Sequence, residues 1–398
     1  MILSFFALFF ALYLAKTLEK KLIYQQVRSK IKRQINFKFH SLPIHYSYCF
    51  SIWALLLLIL LYLAGINGFL ILFISLVTSF IIFFAIYRFR DKFNAKSHLD
   101  WLFRKSLLLS ATIGILITVA IMMAIFGEAG KFFKIIAWQE FFFGTKWNPQ
   151  LAMNSGQEVV KSSFGAVPVF LGTILITLVA MSVAVPIGIM GAVNLSLYCK
   201  SSTRDLLKPI LEILAGIPTV VYGYFAVIFI APSFKLFFGL LNIEIASESA
   251  LSAGFVMGIM IIPFILSLTD DAINSVPRSL YDGALAMGST NYEMISRVII
   301  PSAMPAIIGS IILAVSRAIG ETMIVVMSAG LLAKMTFNPL DSTTTATAQI
   351  VSLLSGDQEF SSSKTLASFA LALTLFVVTF IFNILALIVI KKYQKKNG

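Results

Sequence analysis

Long apolar runs alternate along this chain with polar stretches. An apolar run of about 20 residues can cross the roughly 30 Å hydrocarbon core as a helix, and about nine are predicted. They fall at Met1–Ala15, Cys49–Ala64, Phe69–Tyr87, Leu107–Phe126, Val167–Tyr198, Leu206–Ile230, Ala250–Leu268, Pro305–Leu332 and Leu366–Ile390. The first is short, and its bases follow it rather than precede it. It therefore reads as an uncleaved span with an outside amino terminus, not as a signal peptide. The second and third form a hairpin turning at Gly65-Ile66-Asn67-Gly68.

The polar stretches differ in charge. Segments 16–48, 88–105, 199–208 and 391–398 are basic and read as cytoplasmic, while 127–166, 231–249 and 333–365 carry more Glu, Asp, Ser and Thr and read as external. Composition agrees: 59% of residues are hydrophobic and 12% charged, against about 25% charged in a soluble domain. The chain is predicted to be an all-α polytopic membrane protein with two parts. Residues 1–106 form an N-terminal membrane extension of three spans with basic loops, and residues 107–398 form a six-helix core. The net charge of +13 is dispersed over membrane-flanking loops, which favours contact with anionic lipid over nucleic acid. Cys49 and Cys199 fall at cytoplasmic helix ends, and His40, His45 and His98 in or beside cytoplasmic loops. Neither set has metal-ligand spacing, and no disulfide is expected.

Several residues break the apolar pattern. Arg317 and Glu321 fall inside the predicted Pro305–Leu332 helix, with Arg317 about 18 Å along it. Four residues apart, they can share a face and pair. Ser302, Ala306, Ser310, Ala314 and Ala318 form a small-residue stripe beside them that would allow close helix approach. Two readings stay open: an ion pair locking helices, or an anion contact on a translocation path. Gly216, Pro218, Tyr222 and Gly223 interrupt the Leu206–Ile230 span, either as a kinked packing helix or as a hinge or gate. Glu212 lies near the cytoplasmic end of that span. Asp270 and Asp271 are expected at a solvated helix end, given the cost of burying both charges.

Between two apolar helices, on the cytoplasmic side, lies Pro277–Pro301, PRSLYDGALAMGSTNYEMISRVIIP. A loop of this length is unusual as a mere connector. Leu280, Ala284, Leu285 and Met287 give it one apolar side, and Asp282, Glu293 and Arg297 a polar one. The pattern fits a surface helix or a partner-docking helix.

The segment resembles the EAA loop of binding-protein-dependent ABC importer permeases, whose pattern is E-A-A, three residues, G, nine residues, I-x-L-P. Here Asp282-Gly283-Ala284 is followed after three residues by Gly288, then after nine by Val298-Ile299-Ile300-Pro301. Asp replaces Glu and Gly replaces the first Ala, lowering helix propensity by about 1 kcal/mol. Phe143-Gly144-Thr145-Lys146-Trp147-Asn148-Pro149, the run Leu214–Gly223 and Arg317-Ala318-Ile319-Gly320-Glu321-Thr322-Met323 are similar to PstC-type permease subunits of phosphate importers. The likeness spans about residues 107–395.

This resemblance implies a type I, MetI-like six-helix permease in the bacterial inner membrane, preceded by three extra spans. It implies a PstA-type sister permease, a cytoplasmic PstB-type ATPase that binds ATP and Mg, a periplasmic phosphate-binding protein, and inorganic phosphate as cargo. Asp282, Gly283, Ala284, Gly288, Val298, Ile300 and Pro301 would couple to the ATPase, and Arg317 and Glu321 would lie in or beside the path. The chain itself has no G-x-x-x-x-G-K-[ST] phosphate loop, so no cofactor and no enzymatic activity are expected in it. The competing readings are an ABC permease for another oxyanion such as molybdate or sulfate, and an ion-coupled secondary transporter. The latter usually shows repeated halves, which are not evident here.

Overall fold

The computed structural model describes residues 95–149, 164–355 and 362–397, with scattered positions between 16 and 84. The chain divides into two compact units, Met1–Ala120 and Ile121–Gly398. The spans expected at Met1–Ala15, Cys49–Ala64 and Phe69–Tyr87 lie wholly or mostly outside the described residues. Among the described residues, six helices are long and apolar enough to cross a membrane.

The first helix, α1 (Ala95–Ile135), contains the expected Leu107–Phe126 run. None of its most apolar stretch is buried, as expected of a helix whose apolar surface faces lipid. A short α2 (Trp138–Phe143) follows, then α3 (Val167–Val193), which runs on through one wide π turn, Asn194–Tyr198. Next come α4 (Ser201–Ala215), α5 (Thr219–Phe225), α6 (Ala231–Leu240) and α7 (Ala250–Asn274).

The expected Leu206–Ile230 span is not one helix. The chain breaks at Gly216-Ile217-Pro218, and the membrane-length element is instead Thr219–Leu240. The physical cause is the segment before the break: α4 carries Arg204, Asp205, Lys208 and Glu212 among its leucines. That makes α4 amphipathic, not uniformly apolar, so it suits an interface better than a bilayer interior.

Two π turns sit just ahead of prolines. Ala226–Ile230 precedes Pro232, and Ile295–Ile299 precedes Pro301. A proline ring clashes with the carbonyl four residues back. Those carbonyls, of Ile228 and Arg297, lie inside the wide turns, so the widening relieves the clash while the helix continues.

The centre of the second unit is α7, the most deeply buried of the six. It packs along α3 through small residues. A side chain on Gly258 would meet the Ala180 carbonyl at 2.8 Å and Val183 Cβ at 3.0 Å, and one on Gly254 would meet Val179 at 2.7 Å. Ile176, Ala180, Ala184, Val256, Met257, Met260 and Ile261 fill the seam. On the side read as external, Phe132, Ile136, Phe141, Trp147 and Phe164 form an aromatic cluster with Val169 and Leu353. Gly144 and Gly165 allow the strands of chain carrying these rings to touch backbone to backbone, leaving no room for a Cβ.

Because the α3–α7 seam has no slack at Gly258, replacing it with Leu should overpack the core by about 1–3 kcal/mol or more. Thermal unfolding of the purified protein in detergent should show a clear loss of stability, whereas Gly239→Ala, in open space, should show none.

Candidate coupling loop and translocation site

After α7 the chain turns at Pro277 and forms α8 (Arg278–Ala286), a short turn α9 (Asn291–Met294), and α10 (Ile300–Ile319), joined to α9 by the second π turn. The end of α8 is fixed by a reciprocal pair of backbone bonds, Ser289 N–H to the Ala284 carbonyl at 3.2 Å and Gly288 N–H to that of Leu285 at 2.9 Å. This closure needs a left-handed residue. Gly288 supplies it with φ of +83°, which explains a glycine at this position of the motif. Thr290 then starts α9 with a capping box: its hydroxyl accepts from Glu293 N–H, and the Glu293 carboxylate accepts from Thr290 N–H.

The loop is not free-standing. Ala284, Met294, Ile295 and Ile299 are buried against Ala272, Ile273, Val276, Ala303 and Ile307. Tyr281 donates to the Ile273 carbonyl at 3.4 Å, and burial pushes its phenol up from the ordinary value. Of the apolar residues predicted for one side, only Ala284 is buried; Leu280, Leu285 and Met287 face outward with Tyr292. Met287 is 87% exposed and Tyr292 73%. The loop therefore has two apolar faces, one spent on its own bundle and one unpartnered among the described residues. Asp282 and Gly283 are exposed, while Val298 and Ile300 are half-buried and Pro301 is exposed beside the entry to α10.

The expected Arg317–Glu321 pairing does not form. Among the described residues no ion pair joins them, because α10 ends at Ile319 with Gly320 as its cap. The helix predicted to run to Leu332 restarts as α11 (Met323–Ser328). Glu321 sits in the break, where its Oε1 accepts from Thr322 N–H at 3.1 Å and Met323 N–H at 3.2 Å. Its carbonyl accepts from the Thr347 hydroxyl at 2.7 Å. Thr347 belongs to α12 (Ala346–Leu354), which precedes the last helix, α13 (Ser363–Asn397). Arg317, in the last turn of α10, is exposed, and its guanidinium carbon lies 5.2 Å from the centre of the Phe264 ring. A guanidinium stacked on an aromatic face keeps its in-plane donors available.

The small-residue stripe is also displaced. Ser310, Ala314 and Ala318 are buried as expected, but below them Ala303 and Ile307 are buried while Ser302 and Ala306 are exposed. Ser310 meets Thr269 of α7 at 3.3 Å between hydroxyls.

Of the four hinge candidates, Gly216, Pro218 and Tyr222 lie at the α4–α5 break, and Gly223 meets α11. Gly216 caps α4 and Pro218 starts α5 with φ −57° and ψ 135°. The Tyr222 hydroxyl reaches back across the break to the Leu214 carbonyl at 3.0 Å. A Cβ on Gly223 would sit 2.9 Å from Met327 Sδ and 3.2 Å from the Met323 carbonyl, so α5 and α11 touch where only glycine fits.

The expectation of a solvated Asp270 is overturned. The helix runs on to Asn274, Asp270 is 0% exposed, and Arg204 and Lys208 of α4 both bind it. The hydrogen bond that Lys208 donates to Asp271, opposed by desolvation, holds Lys208 above its ordinary value. Reading the Leu206–Ile230 stretch as a span hid this arrangement. The i, i+4 spacing of Arg204 and Lys208 on an amphipathic helix was the available signal.

Residues 184–395 match the family of binding-protein-dependent transport system inner membrane components. The chain is 31% identical over 274 residues to the phosphate transport system permease protein PstC of Xylella fastidiosa (strain 9a5c), covering 65% of this chain and 80% of that protein. It is 30% identical over 246 residues to a probable ABC transporter permease protein, YqgH, of Bacillus subtilis (strain 168), covering 62% and 75%. It is also 28% identical over 330 residues to the PstC of Haemophilus influenzae, covering 78% and 98%.

With φ at +83° required at position 288, Gly288→Val should cost about 1–2 kcal/mol locally. Hydrogen exchange should show faster opening confined to residues near 284–294, with the α3–α7 seam unaffected.

Proposed function

The chain belongs to the binding-protein-dependent transport system inner membrane components, and on that premise we propose that it carries inorganic phosphate, coupled to a cytoplasmic ATPase through residues 277–301. As a member it is a multi-pass inner-membrane permease subunit of an ABC importer and not itself an enzyme, and its family works with a partner ATPase and a substrate-binding protein. The finer reading adds a PstA-type sister permease, a PstB-type ATPase and a phosphate-binding protein. The observation that carries the substrate is the 31% identity to a phosphate permease across 80% of its length.

Chemistry supports the assignment. Arg317 is exposed at the end of α10, stacked on Phe264 and without the expected carboxylate partner. A planar guanidinium can give a phosphate two parallel hydrogen bonds. Glu321 is occupied in holding the start of α11, which keeps its charge away from an anion on Arg317. The outward apolar face of Leu280, Leu285, Met287 and Tyr292 suits a groove on the ATPase. Asp282 and Gly283 lie exposed on the same short helix. Ala284, Gly288, Val298, Ile300 and Pro301 shape and root that helix. Gly216, Pro218, Tyr222 and Gly223 form the hinge beside the path. The N-terminal residues 1–106 would then be an addition to a six-helix core at 107–398.

Vesicles containing the chain with its partner subunits should take up phosphate with ATP, and sulfate or molybdate should not compete. Competition by either would move the substrate assignment to that oxyanion. Arg317→Gln should reduce uptake about tenfold or more, the scale of one lost charge-assisted bidentate contact, while the subunits still co-purify. Asp282→Lys should weaken retention of the ATPase on the purified complex. Normal retention would remove Asp282 from the docking surface.

A further inference from the structure

Asp270 is fully buried, and a carboxylate stays charged in such a place only when paired and hydrogen-bonded. Arg204 grips both its oxygens, at 3.0 Å to Oδ1 and 2.9 Å to Oδ2. Lys208, one turn further along α4, reaches Oδ2 at 3.2 Å and Asp271 Oδ1 at 3.2 Å. Asn274 completes the ring. Its amide donates to Asp270 Oδ1 at 2.9 Å and to the Asp270 carbonyl at 2.6 Å, and its own Oδ1 accepts from Arg204 at 3.4 Å. Two cations thus face two carboxylates across the α4–α7 contact.

Apolar packing adds to this contact. A small apolar cluster of Leu195, Leu211 and Leu266 lies beside it, and next to that is a cavity of about 170 Å³ whose walls include Lys208, Leu211, Phe264 and Asp270. The ionic cluster ties α4 to α7 beside that cavity.

Its position matters more than its strength. One turn beyond Asp270, Ile273 takes the Tyr281 hydrogen bond and packs with Val276 under Ala284, Met294 and Ile299. That is the root of the coupling loop. In the other direction α4 leads to the break at Gly216–Pro218, to Tyr222, and to the Gly223 contact with α11. The α10 wall of the path needs no relay, since the helix runs unbroken from Asn291 to Ile319. The α5 wall does.

We propose that Asp270 is a positioning residue for coupling: bound by Arg204 and Lys208, it fastens the Gly216–Pro218 hinge to the root of the coupling loop, so that both walls move together. The proposal rests on the coupling role given above to residues 277–301. A coupling path of this kind needs an element that both sites bias, and α4 is that element.

The test uses the full complex in vesicles with its ATPase, its sister permease, its binding protein and radiolabelled phosphate. The triple variant Arg204→Gln, Lys208→Gln, Asp270→Asn removes the cluster without leaving a buried charge unpaired. It should assemble and hydrolyse ATP near the parental rate, while phosphate carried per ATP falls about fivefold or more, within the range seen along coupling networks. Arg204→Lys alone, which keeps the charge but has no second nitrogen for Asn274, should fall between the parental complex and the triple variant. Parental transport per ATP in the triple variant overturns the proposal. So does loss of the ATPase from that variant, which would make the cluster scaffold only. A parental complex that never retains the ATPase strikes instead at the coupling reading, and it is scored before any variant is made.

Discussion

Everything in the second unit hangs on the fit of α7 against α3. In lipid there is little hydrophobic gain in bringing two apolar helices together, so association depends on close van der Waals packing. Gly254, Gly258, Ala180, Ala184 and Gly188 supply it by leaving neither helix anything to hold the backbones apart. With α7 fixed, its two ends become reference points. One end, at Ser249, lies by the loops read as external, and the other carries Asp270, Asn274 and the start of the coupling loop. Arg317, stacked on Phe264, α4, bound at Asp270, and the 277–301 loop, rooted on Ile273, are each positioned by reference to this one helix.

Helix breaks are the second organising element. At Gly216–Pro218 and at Gly320–Thr322 the chain stops one helix and starts another near the level where Arg317 and Tyr222 sit. Free backbone groups there must be satisfied internally, because lipid offers no partner. The Glu321 carboxylate, the Thr347 hydroxyl and the Tyr222 hydroxyl do this work. Broken helices in membrane proteins are tolerated where they are buried in protein or line a cavity. The helices that restart after the two breaks, α5 and α11, touch at Gly223.

The sequence was most readable where a single physical requirement governed a long stretch. Uniformly apolar runs gave α3 and α13 close to their observed extents, and the wide loop at 277–301 announced itself by length and by Gly288. Reading failed where two requirements met in one window. Residues 206–230 contain an amphipathic interface helix and the start of a span, and averaged hydropathy merged them across Pro218. Residues 305–332 read as one helix because Gly320 and Glu321 are compatible with a continuous run; the Thr347 hydroxyl that satisfies the freed Glu321 carbonyl comes from a segment 26 residues away, which no local window contains. Asp270 was misjudged for the same reason, since its partners Arg204 and Lys208 had been assigned to a different environment.

That last error bears on how the importer works. A docking loop alone moves only what it is attached to. The 277–301 segment is attached covalently to α10 and thereby to Arg317, whereas its link to α5 runs through side chains: Tyr281 to Ile273, then Asp270 to Arg204 and Lys208, then α4 to Pro218. Salt bridges suit this task better than apolar packing does. Their geometry is directional, Arg204 holds both oxygens of Asp270 at once, and a buried ion pair resists sliding because each displaced charge would be left unpaired. On the coupling role proposed for residues 277–301, a joint held at that one contact would pass rotation of α4 to the turn at Gly216–Pro218, and from there to α5.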